Sequence, residues 1–196
     1  MGGHSLQLKP DFVKSPGNKK RESLFSGAKP SGRLHLGNYL GAVRNWIALQ
    51  KTYECVFGVV DWHAITVPQK PQELQKNTMD MVLDLLALGI DPEKSILMVQ
   101  SHVPQHTELA WIFNTLTPLS WLDRLPPYRE QILEHPERNQ MGVLDYPVLM
   151  AADILIYKSA IVPVGEDQMA HIDVANEIAK RFNHLFGHLF DPVKPL

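Results

Sequence analysis

Short apolar runs alternate along this chain with longer stretches in which apolar residues recur every three or four positions. Val56 to Val60 and Ile96 to Val99 are continuous apolar runs of strand length, and Ser23 to Ser26 reads as the end of a further strand. Between them Leu36 to Leu49 has helical periodicity, with Leu36, Leu40, Val43 and Ile47 on one stripe. Pro71 to Leu88 reads as a second helix stopped by Gly89, and Glu108 to Leu116 as a third. Asp145 to Tyr157 is helical by spacing, with Pro147 suited to its first turn. Ile161 to Val164 is a β-branched run that breaks at Gly165 into a helix carried by Met169, Ile172, Ala175, Ala179 and Phe182. Strand and helix in this alternation predict a parallel sheet covered on both faces, an α/β Rossmann-like doubly wound fold. The Pro-rich stretch from Thr117 to Met141 reads as irregular, and Phe190 to Leu196 as a Pro-rich run-out.

The places where strands end carry the chemistry. Gly27-Ala28-Lys29-Pro30-Ser31-Gly32-Arg33-Leu34-His35-Leu36-Gly37-Asn38 takes a strand through a glycine-rich turn into a helix, and a helix N-terminus aims unpaired N–H groups at an anion. His35 and Asn38 share one face of that first turn. Asp61-Trp62-His63 follows the second strand; an Asp that anchors a loop and a His satisfied internally account for it as well as a site does. Asp153 lies on the core-facing stripe with Leu149, Ala152 and Ile156. A buried carboxylate needs a donor, from an internal Arg, His or N–H or else from a ligand. Glu166 and Asp167 sit where a helix dipole favours acids.

Pro30-x-Gly32-x-x-His35-x-Gly37-Asn38, with Tyr146-Pro147-x-Leu149-x-Ala151-Ala152-Asp153-Ile154-Leu155 and Val162-Pro163-Val164-Gly165-Glu166-Asp167-Gln168, resembles the tryptophanyl-tRNA synthetases, a family of the class I aminoacyl-tRNA synthetases. The resemblance runs from about Leu24 to the end. It implies that Lys29, Pro30, Ser31, Gly37 and Asn38, with Gly165, Glu166 and Asp167, surround ATP, and that His35 and Asn38 assist catalysis at the phosphates. It implies that Asp153 accepts the indole N–H of tryptophan and that Tyr146 and Gln168 hold the amino-acid head group. Phe25, His63, Met150, Val162 and Val164 would wall that site. Each of these segments is expected just past the C-terminal end of a strand, where open parallel sheets bind ligands. The stretch around Leu122-Asp123-Arg124 and Tyr128-Arg129-Glu130 resembles the family's insertion that reaches toward the triphosphate. Gln131 stands where the family often has Lys, which leaves Arg129 for that contact. Lys29 stands where the family usually has Gln.

The implied activity is ATP-dependent formation of tryptophanyl-adenylate and transfer to tRNA-Trp, with Mg2+ accompanying ATP and the protein acting as a homodimer. The alternatives are a truncated, non-catalytic homologue that binds tryptophan or a partner protein, and a tyrosyl-type enzyme. The family's Lys-Met-Ser-Lys-Ser loop and helical anticodon-binding domain are missing from this sequence. Residues 23–196 are therefore expected to form a catalytic domain incomplete at its C-terminus, and residues 1–22 a flexible extension.

Composition narrows the rest. With 196 residues, 44% of them hydrophobic, the chain can bury a sizeable core. A formal charge of −2 argues against a general polyanion-binding surface, so tRNA would use a local patch, for which Arg124, Arg129 and Arg138 are candidates. The single cysteine, Cys55, excludes an internal disulfide. His102 with His106 and His184 with His188 have helical ligand spacing but no third ligand nearby, so no metal site is expected. No run reaches membrane-spanning length. The expectation is a cytoplasmic protein, with a mitochondrial location second. The apolar face of Trp111, Ile112, Leu116, Leu119 and Trp121 is the candidate dimer surface.

Overall fold

The computed structural model describes residues 21–196; the first twenty residues, and so most of the expected extension, lie outside them. The elements run β1 (Ser23–Ala28), α1 (Leu36–Asn38), a π-helical segment (Tyr39–Val43), α2 (Arg44–Leu49), β2 (Glu54–Val59), α3 (Asp61–Ala64), α4 (Pro71–Leu88) and β3 (Ser95–Val99). They continue with a 3-10 turn (Gln100–His102), α5 (Gln105–Asn114), α6 (Leu119–Leu122), α7 (Pro126–Glu134), α8 (Met141–Leu155), β4 (Ile161–Val162), a 3-10 turn (Glu166–Gln168), α9 (Met169–Phe186) and β5 (Lys194–Pro195).

The strands form one parallel sheet in the order β3-β2-β1-β4-β5. The chain winds outward from β1 in one direction and then returns to wind outward in the other, so the crevice beyond the C-terminal ends of β1 and β4 is the topological switch point. Alternation along the strands divides the core between the two faces of the sheet. Leu24, Cys55, Phe57 and Val59 pack with Trp46, Met81 and Leu85 from α2 and α4, where the Trp46 and Phe57 rings stack 4.8 Å apart. Phe25, Val56 and Val60 face the other way, onto Phe113, Val148, Ala152, Ile172 and Ala175 of α5, α8 and α9.

Several local expectations are corrected. The helix after the glycine-rich turn contains the π-helical segment, which rotates its buried face: Val43 is buried as expected, but Trp46 joins it while Leu36 is 71% and Leu40 46% exposed. Helix α8 begins at Met141, so Pro147 falls inside it rather than in its first turn. Thr117 to Met141 is largely helical, because prolines there open helices at their first positions, as in α7. The segment from Phe190 onward is no run-out: Phe190 and Val193 are buried and β5 pairs with β4. The carboxamides of Asn176 and Asn183 on α9 hold this segment's backbone at Val193, Leu189 and Phe190. Gly89 ends α4 as expected, with φ 114 in the left-handed region.

Candidate functional site

A cavity of about 600 Å³ opens at the switch point. Its walls come from the end of β1 (Phe25 to Lys29), from Val60 and His63 after β2, from Tyr146, Met150 and Asp153 on α8, and from Val162 to Gly165 and Gln168 after β4. All eight residues expected to hold tryptophan therefore line one cavity. One positional expectation is corrected. Asp153 and Tyr146 do not follow a strand; α8 brings them to the cavity as it crosses the sheet toward β4.

Asp153 is 1% exposed and already has donors on both oxygens. Oδ1 lies 2.6 Å from His106 Nδ1 and 2.7 Å from Gln100 Nε2, and Oδ2 lies 2.8 Å from His63 Nε2 and 2.9 Å from the same Gln100 nitrogen. The Gln100 amide cannot be reversed without loss, because its Oε1 accepts the Trp62 backbone N–H at 3.0 Å. His106 Nε2 pairs with the Tyr157 hydroxyl at 2.8 Å, and the Tyr157 ring stacks on Phe25. Burial by itself would push the Asp153 carboxyl up, yet the hydrogen bonds and charges of His106 and His63 hold it below the ordinary carboxylate range. The internal partner weighed for Asp153 is thus present, supplied by two histidines and a glutamine. For the Asp61-x-His63 pair both structural roles hold as well, since Asp61 Oδ1 accepts the Ser101 N–H at 2.9 Å.

At the end expected to hold the head group, Tyr146 Oη lies 2.9 Å from His171 Nε2, His171 Nδ1 lies 2.9 Å from Gln168 Oε1, and Gln168 Nε2 donates to Asp167 at 2.6 Å. Gln100 and His171 were not singled out in the sequence, and His106 only for its helical ligand spacing with His102. All three are buried polar residues, and the one signal that could have flagged the histidines is their place on otherwise apolar helix faces.

The end expected to meet phosphate is built locally. Gly32 has φ 147, a conformation that favours glycine, and lets the chain turn into the helix. The His35 backbone N–H donates to Asn38 Oδ1 at 3.1 Å, and the Gly37 N–H donates to His35 Nδ1 at 3.1 Å, closing a capping box. With Nδ1 accepting, the neutral His35 ring carries its proton on Nε2, away from the helix. Gly37 leaves room for that ring, as a Cβ there would sit 3.0 Å from it. Lys29 lines both the main cavity and an adjoining cleft of about 360 Å³ that Ser31, His35 and Asn38 also line. Although its side chain reaches solvent, the surrounding walls desolvate the Lys29 ammonium and lower its pKa.

Other expected residues are not brought there. Pro30, Gly37, Glu166, Asp167 and Arg129 line neither space, whereas Gln131 lines the main cavity. Arg129 Nε donates instead to the Asp123 carbonyl at 2.9 Å. Of the apolar face, Trp111, Ile112 and Leu119 are exposed, but Leu116 is buried and Trp121 packs partly into the core. No helix among the described residues is long and apolar enough to cross a membrane.

Comparison with known proteins gives a consistent picture. The family model for "tRNA synthetases class I (W and Y)" matches residues 18–196. A tryptophan–tRNA ligase of Gloeobacter violaceus is 53% identical over 164 residues, covering 84% of this chain and 49% of its own length. One from Thermosynechococcus vestitus is 51% identical over 173 residues, covering 88% of this chain and 52% of its own. Among solved structures, the tryptophanyl-tRNA synthetase of Campylobacter jejuni complexed with ADP and tryptophan superposes with a TM-score of 0.85 at 36% identity, covering 89% of this chain and 54% of that one. The chain spans about half the length of the curated relatives it matches.

Proposed function

The chain belongs to the class I tRNA synthetases of the tryptophan and tyrosine group, and from that premise we propose that it is the amino-acid-activating portion of a tryptophan–tRNA ligase. A tryptophan carboxylate oxygen attacks the α-phosphorus of ATP as the bond to the bridging oxygen of the β-phosphate breaks, giving tryptophanyl-adenylate and pyrophosphate. A ribose hydroxyl of tRNA-Trp then displaces AMP from the acyl carbon. No side chain becomes covalently attached, so positioning and charge stabilisation carry the rate.

The observation that carries this reading is the buried Asp153 at the end of an otherwise apolar wall of Phe25, Met150, Val162 and Val164. An indole is apolar except for one N–H. Gln100 Nε2 reaches both carboxylate oxygens, so it can release one of them to the indole and keep the other. Tyrosine would bring a hydroxyl, which both donates and accepts, where a carboxylate offers only an acceptor. Lys29, Ser31, His35 and Asn38 would face the phosphates in the adjoining cleft, with His35 donating from Nε2. The described residues form no group of three or more His, Cys, Asp or Glu able to hold a metal, so they do not fit a protein-held Mg2+, which is proposed only as a companion of the ATP phosphates.

Pyrophosphate exchange that depends on added amino acid tests the reading. Exchange or adenylate formation with tryptophan and not with tyrosine is the expected result. Tryptophan binding without any adenylate would favour a non-catalytic homologue. Homodimer formation is proposed through the exposed Trp111, Ile112 and Leu119. Light scattering should show association that rises with concentration, and a uniform monomer at high concentration would refute it.

A further inference from the structure

We infer that His171, backed by Asp167, is a positioning residue that fixes Tyr146 as a hydrogen-bond acceptor and thereby selects a ligand carrying an ammonium group. The inference rests on the tryptophan-activating reading of the cavity and adds the group that sets the polarity of its head-group end.

Asp167, as an ionised carboxylate, can only accept hydrogen bonds. It therefore fixes the Gln168 amide with Nε2 toward Asp167, 2.6 Å away, and Oε1 toward His171. A carbonyl oxygen also only accepts, so His171 Nδ1, 2.9 Å from Oε1, carries a proton. In the neutral ring Nε2 is then a lone pair, and Tyr146 Oη, 2.9 Å from it, must donate. Every hydrogen bond in the relay points the same way, from Tyr146 to Asp167. The hydroxyl hydrogen of Tyr146 is used up inside the protein, and its oxygen is left to accept on the cavity side, which Tyr146 lines. An ammonium group offers the complementary donor.

The neutral state of His171 matters because protonation would reverse the last link. A second ring proton on Nε2 would donate to Oη, turning the tyrosine hydrogen toward the cavity, where it would oppose an ammonium. His171 is 1% exposed. Four groups face it: Tyr146 on α8, Asp167 in the turn before α9, His63 on α3 and Lys29 after β1. Burial lowers its pKa first of all; Asp167 opposes this, while His63 and Lys29 add to it. His171 thus rests neutral near neutral pH.

Calorimetric titration of the 196-residue protein with L-tryptophan and with indole-3-propionate, which keeps ring and carboxylate but lacks the ammonium, tests this between about pH 8 and pH 5. Tryptophan should weaken progressively toward pH 5, and by more than indole-3-propionate does over the same range. Both ligands present the same indole to the ring end, so only a difference between them reports on the head-group end, and parallel profiles overturn the inference without any variant. His171→Gln keeps an amide oxygen for Tyr146 but cannot titrate, and should flatten the tryptophan profile while retaining most of the affinity. A tryptophan profile unchanged by His171→Gln also overturns the inference. Failure of the unsubstituted protein to bind either ligand at any pH would instead refute the tryptophan reading itself.

Discussion

The two ends of the cavity are held together in opposite ways. At the ring end, three side chains from α3, the turn after β3 and α5 meet around one carboxylate on α8, separated from it in sequence by as many as 90 residues and buried together. At the phosphate end, His35 and Asn38 satisfy one another within three residues and stand exposed. A buried charge cannot wait for its ligand, since an unpaired carboxylate in the core would cost several kcal/mol. Exposed polar groups can wait, because water fills in. The ring end is consequently part of the fold, whereas the phosphate end is carried by it.

Removing the central group from each end should separate these roles. Asp153→Ala leaves the His63, Gln100 and His106 donors buried around a void, and breaking such a network should cost roughly 3 to 5 kcal/mol, a fall in melting temperature on the order of 10 °C for a chain of this size. Tryptophan affinity should fall with it. A variant that melts like the unsubstituted protein would break the comparison, for Asp153 would then serve the ligand alone. Acid sharpens the same test. The folded pKa of Asp153 is depressed, so its contribution is fully present above the unfolded value near 4 and is lost as pH falls through the lower folded value. Calorimetry should therefore show the gap between the two proteins constant near neutrality and closing below about pH 4.

The smaller effect belongs to the phosphate end. His35→Ala removes one helix cap, which should lower stability by only about 1 kcal/mol. ATP affinity, followed by nucleotide titration, should fall much more than tryptophan affinity. Equal loss of both, or a melting change as large as that of Asp153→Ala, would mean that the turn is as structural as the ring end.

How much of this could be read along the chain depends on how local the governing interaction is. The alternation of apolar runs and amphipathic stretches fixed the parallel α/β class, because side-chain periodicity is a property of consecutive residues. The glycine-rich turn and its His35–Asn38 pair were legible for the same reason, as was the burial of Asp153 from its place on a helix stripe. Residues joined through space left no such trace. Gln100 is an ordinary polar residue until the turn after β3 sets it between Trp62 and Asp153, and His106 and His171 are ordinary helix residues until α8 packs against α5 and α9. Val43 is buried as its stripe requires, but the π-helical segment turns Trp46 into the core and leaves Leu36 and Leu40 exposed, because one extra residue in a turn defeats a period-based stripe. The last seven residues read as a loop since Pro and a pair of charges dominate them, yet a free β4 edge and the Asn176 and Asn183 carboxamides draw them into the sheet. The sequence by itself determined the elements, the turn and the need for a partner at Asp153. Only the tertiary structure decided who the partner is, because a hydrogen bond between distant residues depends on the path of all the chain between them.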